Sequence, residues 1–548
     1  MRAKAGALAA ATLLATAALA AEDRSPSWLQ QKLEAGFSEA LGGTVKIGGM
    51  DVGWTSLSAT VSDVTITLPA EDAPPLTVSI ARARVKLAWS GLTGIGGGAI
   101  HITDLTAEGA EVSCSRAWID HWKPKKKSAG RTVEVRVDHL SVTGGAFDYR
   151  DGEQRLVVRV RDIDASGDWS TYRRLIVGRA EGRAEIEAPL FRTPFPVTAK
   201  GGVRVGMGRV EIFDAEAEGP GTSAAIESGT VSWGTGTSFT AEGRATADLG
   251  AIRPFLAGHL DLGGTVTGPV QIVLAGGPIR VVLPEARTSK LTVGPIVSES
   301  GLAALTVRPG RLEVRNLDAA AYGGRFTGSV DLAFGKEMVL TTDLAGTGAD
   351  LGAVLALTGK TLQVAATASL TLRTTGDPGA LSTWSGEGTF DAVPRVPDAL
   401  RRLPARGRGR IVFAGGRVRV ESPHLELADA AFSMTLESPL PPAAPEVVLS
   451  LAGTTRDAGT TQAGALRILD ALGVERNRFA TEPVRGHGGV RADVRAGASP
   501  RLVLELDLAE GAWMGQAFDV AHVLLDSTPA GVSLEGIHVV RGDESIDG

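Results

Sequence analysis

The stretch Gly310–Leu332, GRLEVRNLDAAAYGGRFTGSVDL, predicts a β-hairpin. Leu312 and Val314 alternate with charged residues, as expected of a strand that has one apolar face. A short polar segment follows, and Gly323-Gly324 then predicts a tight turn into a returning strand. The hairpin can therefore be read from residue order alone.

The same opening, G-R-(V/L)-x-(I/V), recurs at Gly208–Ile212 and Gly416–Val420, with starts 102 and 106 residues from that of the first stretch. A second element follows at 40 residues in two copies, Asp248–Gly258 (DLGAIRPFLAG) and Asp350–Gly359 (DLGAVLALTG). A looser third copy is Gln462–Gly473, 46 residues after its hairpin. Two elements that recur together predict a repeat protein with a period of roughly 100 residues and short helices near 248–258, 350–359 and 462–473.

Alternating apolar and polar residues run through most of the remaining chain and predict strands with one apolar face each. Only 5% of the residues are aromatic, so Val, Leu, Ile and Ala must fill or line that face. We predict a mainly β fold, an elongated, curved antiparallel β-sheet with an apolar groove and a few short helices. A closed solenoid core fits the same pattern. The candidate lining residues are Val64, Ile66, Leu68, Val133, Val135, Val137, Leu156, Val158, Val160, Leu312, Val314, Leu502, Leu504, Leu506 and Leu508.

The N-terminus predicts a signal peptide over residues 1–21. Arg2 and Lys4 precede the apolar run Ala5–Ala20, which ends in an A-x-A cleavage pattern. That run is short for a membrane span, so we expect cleavage and export rather than an uncleaved anchor. Apolar residues at helical spacing over 27–41 predict a short helix, which opens a β region over 22–200. The β repeats then occupy 201–548.

One charged segment invites a sharper interpretation. Trp118 and Trp122 lie beside a lysine run in WIDHWKPKKKS. A solvated loop is the plain interpretation. The alternative is contact with anionic headgroups at a membrane surface through Trp118, Trp122, Lys123, Lys125, Lys126 and Lys127.

The sequence does not contain a pattern typical of catalysis or of a cofactor. The formal net charge of -6 argues against nucleic acid as a partner. The single cysteine, Cys114, lies in a strand-like run and is interpreted as a small buried hydrophobe. No G-x-S-x-G or H-E-x-x-H pattern occurs, and no histidine pairs in sequence with another ligand at metal-binding spacing. We therefore predict no catalytic, cofactor-binding or metal-ligating residue.

The order of its motifs resembles that of the AsmA family of bacterial envelope proteins. The likeness includes Leu41–Leu68 (LGGTVKIGGMDVGWTSLSATVSDVTITL), Val137–Asp151 (VDHLSVTGGAFDYRD), the A-x-YGG-x-F-x-G pattern within Leu312–Leu332, and Met338–Phe390. The resemblance implies a taco-like β-groove in the periplasm or cell envelope. It also implies a non-catalytic role in outer-membrane biogenesis, holding or conducting glycerophospholipid or another acyl-chain lipid, with a membrane surface and another envelope protein as partners. A cleavable N-terminus departs from the usual inner-membrane helix of that family.

Two further expectations remain open on sequence alone. A structural or adhesive surface β-solenoid would use the same alternation to fill its own core. In addition, an offset of 220 residues places Gly531–Gly548 over Arg311–Gly328, whereas the strand Ser329–Phe334 that follows the earlier copy has no counterpart. We therefore expect the β array to continue beyond Gly548.

Overall fold

The computed structural model describes most of the chain from residue 30 onward. The described residues are 30–31, 33–35, 37–38, 42–53, 55–70, 72–88, 100–121, 135–170, 175–206, 209–232, 238–257, 261–275, 278–293, 296–334, 338–355, 364–395, 403–427, 429–440, 446–472 and 482–548. The predicted signal peptide lies outside them. The chain forms two compact units: unit 1 extends to Ala257 and includes Thr265–Ala286 and Leu305–Arg311, and unit 2 comprises Gly258–Gly264, Arg287–Ala304 and Leu312–Gly548.

Unit 1 is built from strands that mostly pair with their neighbours in sequence. Its first twelve strands are β1 (Thr44–Lys46), β2 (Gly49–Gly53), β3 (Ser58–Ala70), β4 (Ala73–Leu87), β5 (Ile100–Ser115), β6 (Val135–Asp151), β7 (Leu156–Ser170), β8 (Leu175–Glu187), β9 (Phe195–Gly206), β10 (Arg209–Gly219), β11 (Thr222–Ser232) and β12 (Ser238–Asp248). The described helices of this unit are α1 (Arg116–His121), α2 (Leu249–Ile252) and a 3-10 turn (Arg253–Phe255), besides helical residues within 30–38.

The division between the units falls within β13 (Leu262–Ala275), β14 (Arg280–Val293), β15 (Ile296–Arg308) and β16 (Arg311–Ala321). Unit 2 continues with β17 (Gly324–Ala333), β18 (Val339–Asp350), β19 (Val364–Asp377), β20 (Ala380–Pro394), β21 (Leu403–Ala414), β22 (Arg417–Leu427), β23 (Ala430–Pro439), β24 (Val447–Thr455), β25 (Val484–Ala496), β26 (Arg501–Trp513), β27 (Gln516–Thr528), β28 (Gly531–Arg541) and β29 (Glu544–Asp547). Its described helices are α3 (Leu351–Leu355) and α4 (Ala458–Leu472).

Antiparallel pairing dominates both units. In unit 1, β1 and β2 both pair with β3, β5 and β6 run parallel, and the steps from β6 to β13 are antiparallel. In unit 2, every step from β17 to β29 is antiparallel, with a two-residue parallel contact between β19 and β21. The predicted mainly β antiparallel fold with a few short helices is confirmed.

The repeated hairpins share a backbone deviation as well as sequence. Asp214 and Asn316, each six residues into its copy, have positive φ angles of 47° and 51°. Beside Asp214 the pairing register shifts between Phe213 and Glu216. In the third copy the shift lies between Ser422 and Leu425. A bulge at one point of each copy bends the strand, and this accounts for the polar segment that interrupts the alternation.

Short helices follow the third strand of each copy, and an aspartate begins them. The Asp248 carboxylate accepts hydrogen bonds from the backbone N–H of Gly250 (2.9 Å) and Ala251 (3.4 Å). The Asp350 carboxylate accepts them from Gly352 (2.9 Å) and Ala353 (3.2 Å), at the same two positions of the next copy. Each carboxylate satisfies N–H groups that the first helical turn leaves without partners.

The third helix begins earlier than the sequence comparison suggested. The expected copy started at Gln462, whereas α4 begins at Ala458 and Asp457 caps it. Asp457 lies 41 residues after Gly416, which matches the 40-residue spacing of the other copies. The apolar residues of QAGALRILDALG resemble those of the earlier helices and suggested a start at Gln462. The start is set instead by the Asp457-Ala458-Gly459 cap, which depends on one carboxylate and not on hydrophobicity.

Candidate apolar binding site

Helix α4 is fixed at its start by a cap. The Asp457 carboxylate accepts a hydrogen bond from the Gly459 N–H (3.0 Å) and another from the Thr460 hydroxyl (2.6 Å). The bond from Thr460, followed by that from Gly459, lowers the pKa of Asp457 because both stabilise the charged form. The helix therefore starts at a defined point beside the end of β24.

Polar side chains then tie α4 to the neighbouring strands. The Gln462 amide donates to the Glu482 carbonyl (2.6 Å), and its oxygen accepts from the Val484 N–H (3.2 Å). The Thr461 and Thr455 hydroxyls are 2.6 Å apart and share a hydrogen bond. These contacts hold the first two turns of α4 against β24 and β25.

The strands beside α4 present an apolar face made of cross-strand rows. One row joins Leu451, Ala492, Leu504 and Leu525 across β24 to β27. The next joins Gly453, Val490, Leu506 and Val523 in the same way. Each row contains a small residue, Ala492 or Gly453, among larger ones, so the face is uneven in height.

A cavity of about 160 Å³ lies between this face and α4. Leu504 and Leu506 are only half-buried, whereas Leu502 and Leu508 are buried at either side of them. Among the described residues, the cavity lining contains no charged side chain: Leu427, Phe432, Leu449, Leu451, Ala458, Thr461, Gln462, Gly464, Leu466, Val484, Val490, Ala492, Val494, Leu502, Leu504, Leu506, Leu508, Trp513, Phe518, Ala521, Val523 and Leu525. A dry apolar cavity of about 150 Å³ is enough to bind a small hydrocarbon.

One polar group of this lining has no partner among the described residues. The indole N–H of Trp513 is buried without a hydrogen bond. Trp513 faces Val484 across the β25–β26 pair and packs near Ala458 and Phe518. A buried donor without an acceptor costs about 1–3 kcal/mol, so this position favours a ligand that supplies an oxygen.

Four predicted lining residues meet in this cavity. Leu502, Leu504, Leu506 and Leu508 lie on one face of β26. The alternation of leucine with Val503, Glu505 and Asp507 was a sufficient signal, because residues two apart on a strand share a face. Their contact with lipid stays a prediction.

The predicted lining residues of unit 1 are packed differently. Val64 and Val137 belong to a core that also buries Leu33 and Phe37 of the helical residues within 30–38. Leu68 packs with Cys114 and Trp118, and Ile66 contacts both clusters. Leu156 is buried, and Val158 and Val160 are half-buried. Val133 lies outside the described residues, and Val135 is placed only as a residue of β6.

The remaining predicted residues occupy other surroundings. Leu312 packs against a cluster of Leu332, Leu340 and Trp384, and Val314 is half-buried. Trp118 is buried, and its indole N–H donates to the Leu68 carbonyl at 2.9 Å, so this ring packs inward rather than toward solvent. Trp122, Lys123, Lys125, Lys126 and Lys127 lie outside the described residues.

Sequence reasoning missed the residues that cover the cavity. Thr461, Gln462, Gly464 and Leu466 come from α4, and Trp513 ends β26. The D-x-G cap at Asp457 could have placed the helix. No local pattern reports which strands a helix will cover, because that contact is set by tertiary packing.

Comparisons with known proteins do not assign this chain. A scan of protein-family models found no match, and a search of curated proteins found none either. Within the described residues, no helix combines the length and apolar character needed to cross a membrane.

Proposed function

We propose that unit 2 binds the acyl chain of a lipid in the cavity between α4 and strands β24–β27. The cavity itself carries the proposal, because its described lining residues are uncharged and nearly all apolar, and its two central leucines are only half-buried. Burial of an acyl chain would contribute about 0.8 kcal/mol for each CH₂ group. No covalent step is required, so the protein would act as a binder or carrier and not as an enzyme.

The unpaired Trp513 donor supports an amphiphile in preference to a plain hydrocarbon. An ester carbonyl or a carboxylate at one end of the chain would accept the indole hydrogen bond. Glycerophospholipids and fatty acids both carry such an oxygen next to a long apolar chain. The hydrocarbon would occupy the leucine rows, and the oxygen would lie near Trp513.

The wider assignment is part of the same proposal. The order of motifs that resembles the AsmA family supports an exported envelope protein that contributes to outer-membrane biogenesis. Its partners would be phospholipid, a membrane surface and another envelope protein. The apolar cavity agrees with that assignment, which rests on the sequence.

The test is lipid capture at matched positions on opposite faces of β26. A photo-crosslinking residue at Leu504, which lines the cavity, should capture lipid that mass spectrometry identifies. The same residue at Val503, which faces the other way, should capture none. Equal capture at both positions would contradict the proposal.

Two substitutions sharpen the result. Leu504→Asp should reduce co-purifying lipid at least tenfold, whereas Val503→Asp should not, since only the first introduces a charge into the cavity. Trp513→Phe removes the N–H group but keeps an aromatic ring. It should weaken an oxygen-bearing amphiphile more than it weakens an alkane of the same length.

A structural or adhesive β-solenoid is the alternative function. The closely packed core in unit 1, where Ile102 and Val137 are 0% and 1% exposed, favours it for that part of the chain. A lipid-free preparation from envelope extracts, with Leu504→Asp destabilised as strongly as a charge in a closed core, would support this alternative.

A further inference from the structure

Strand register brings two histidines together that are far apart in sequence. His522 of β27 lies directly opposite His538 of β28. Asp507 of β26 lies opposite His522, and Asp547 of β29 lies opposite His538. Cross-strand partners share a face of the sheet, so these four residues form one row, Asp–His–His–Asp, across four strands. The row is on the face opposite the leucines, because Asp507 falls between Leu506 and Leu508.

Each histidine is oriented by a carboxylate. The Nδ1 atom of His522 is 2.5 Å from a carboxylate oxygen of Asp507. The Nδ1 atom of His538 makes the same contact with Asp547. A carboxylate accepts hydrogen bonds, so in the neutral ring Nδ1 is the donor and Nε2 is the nitrogen with a free lone pair. Carboxylates hold metal-binding histidines in this way and raise their basicity.

The two imidazole rings turn their Nδ1 edges away from each other. Nδ1 of His522 is directed toward β26, and Nδ1 of His538 toward β29. Nε2 lies on the other edge of an imidazole ring, so both Nε2 edges face the gap between β27 and β28. Neither Nε2 has a hydrogen-bond partner within the described part of the chain. The side chains of both histidines are 40% or more exposed, so an ion from solution can reach them.

We propose that His522 and His538 bind a divalent transition-metal ion, with Zn²⁺ as the best fit, through their Nε2 atoms. Zinc–nitrogen bonds of about 2.0–2.1 Å place two tetrahedral ligands about 3.3 Å apart, which is within reach of facing side chains on adjacent strands. Water would complete the coordination. Asp507 and Asp547 would act as positioning residues. The ion would crosslink β27 and β28.

A neighbouring carboxylate is assigned no role as a ligand. Glu505 lies within 4.8 Å of the ligand atoms of Asp507 and His522. However, Arg491 lies opposite Glu505 and forms an ion pair with it at 3.7 Å. That arginine neutralises the Glu505 charge. The two-histidine site and a Glu505–Asp507–His522 site therefore make different predictions.

The test is Zn²⁺ titration of the untagged full chain, stripped with EDTA, by competition with a chromophoric chelator. We expect one Zn²⁺ per chain and a rise in melting temperature that EDTA reverses. His522→Gln and His538→Gln should each weaken binding at least tenfold and abolish the thermal shift. His424→Gln is the control, because its ring contacts Glu426 of its own strand and the residue opposite it is Arg408, not a second histidine.

The role of the carboxylates as positioning residues is tested by the affinity for Zn²⁺ at unchanged stoichiometry. Asp507→Asn should weaken Zn²⁺ binding by about tenfold without changing the stoichiometry, as loss of such a carboxylate usually does. Unchanged binding in His538→Gln would overturn the proposal, and so would loss of binding in Glu505→Gln. Absence of any Zn²⁺ binding to a folded parent chain would overturn it as well.

Discussion

Two apolar sheet faces of this protein look alike in sequence and differ in how they are covered. In unit 1 the face formed by β3 to β6, here called the filled face, is closed by Leu33 and Phe37, which are 1% and 3% exposed. In unit 2 the face formed by β24 to β27, here called the hollow face, lies under α4 and leaves a cavity of about 160 Å³. Alternation therefore predicts an apolar face but does not predict what fills it.

Residue size explains part of the difference. The rows of the hollow face contain Gly453 and Ala492, and Gly464 comes from the covering helix. The filled face receives a phenylalanine and a leucine from the helical residues and buries Ile102 completely. Interiors pack at the density of organic crystals, so space left by small residues remains as a cavity unless a ligand occupies it.

The largest expected contrast comes from a buried charge. Leu68→Asp places a carboxylate among Leu76, Cys114 and Trp118, which are all buried apolar side chains. It should destabilise unit 1 by more than about 4 kcal/mol and expose it to protease. Leu504→Asp should cost about 2 kcal/mol, because the half-buried side chain lies in an open cavity and can keep part of its hydration. Hydrogen exchange resolved by peptide measures the loss of unfolding free energy in each unit. Equal losses in the two units would show that the two faces do not differ.

A smaller contrast, of opposite sign, comes from added volume. Val137→Leu forces a methylene into the filled face and should cost about 1–3 kcal/mol. Ala492→Leu adds more volume to the hollow face, yet it should leave stability unchanged or raise it because the cavity accepts the side chain. Chemical denaturation followed by peptide-level exchange measures both. The same Ala492→Leu chain should retain less lipid, and destabilisation by this substitution would show that the cavity is not available.

Removal of the α4 cap tests whether the helix that covers the hollow face is needed for lipid retention. Asp457→Ala removes the acceptor for Gly459 and Thr460 and should cost about 1 kcal/mol, with faster exchange at the start of α4. Because the pKa of Asp457 is lowered in the folded chain, its contribution is present above about pH 4 and is lost as the pH falls further. Asp248→Ala removes the matching cap of α2 in unit 1 and should not change lipid retention. Equal lipid loss in Asp457→Ala and Asp248→Ala would show that loss of any helix cap lowers lipid retention and that α4 has no special role.

Much of the fold could be predicted from residue order, and much of the site could not. The hairpin at Gly310–Leu332 and the leucine face of β26 follow from alternation and glycine turns, which are local. The cavity depends on where α4 packs, and the pairing of His522 with His538 depends on register between strands, both of which are long-range. Long-range packing also decides the place of Trp118. Its position beside a lysine run suggested a residue at a membrane surface, but its indole N–H donates to the Leu68 carbonyl within the core.

The smallest expected effect concerns the thiol beside the filled face. Burial raises the pKa of Cys114 to about 11, and a backbone hydrogen bond with Ser115 opposes this only in part. A raised pKa means that the folded chain keeps the proton while the unfolded chain loses it. The stabilisation is therefore complete below about pH 9 and is lost as the pH rises toward 11.

Alkaline unfolding can isolate this contribution. At pH 9 the loss attributable to Cys114 is below about 1 kcal/mol, and it grows at higher pH. Cys114→Ala removes the titrating group, so the unfolding free energy of unit 1 should fall less steeply in the variant between pH 9 and 11. Tyr149, whose pKa burial also raises, is present in both chains, and the Cys114 charge is the smallest influence on it, so most of its titration cancels in the comparison. The hollow face contains no cysteine, so the slope for unit 2 should be the same in both chains. Parallel slopes in unit 1, together with rapid alkylation of native Cys114 near pH 8, would show that water reaches this cluster and that the filled face is open as well.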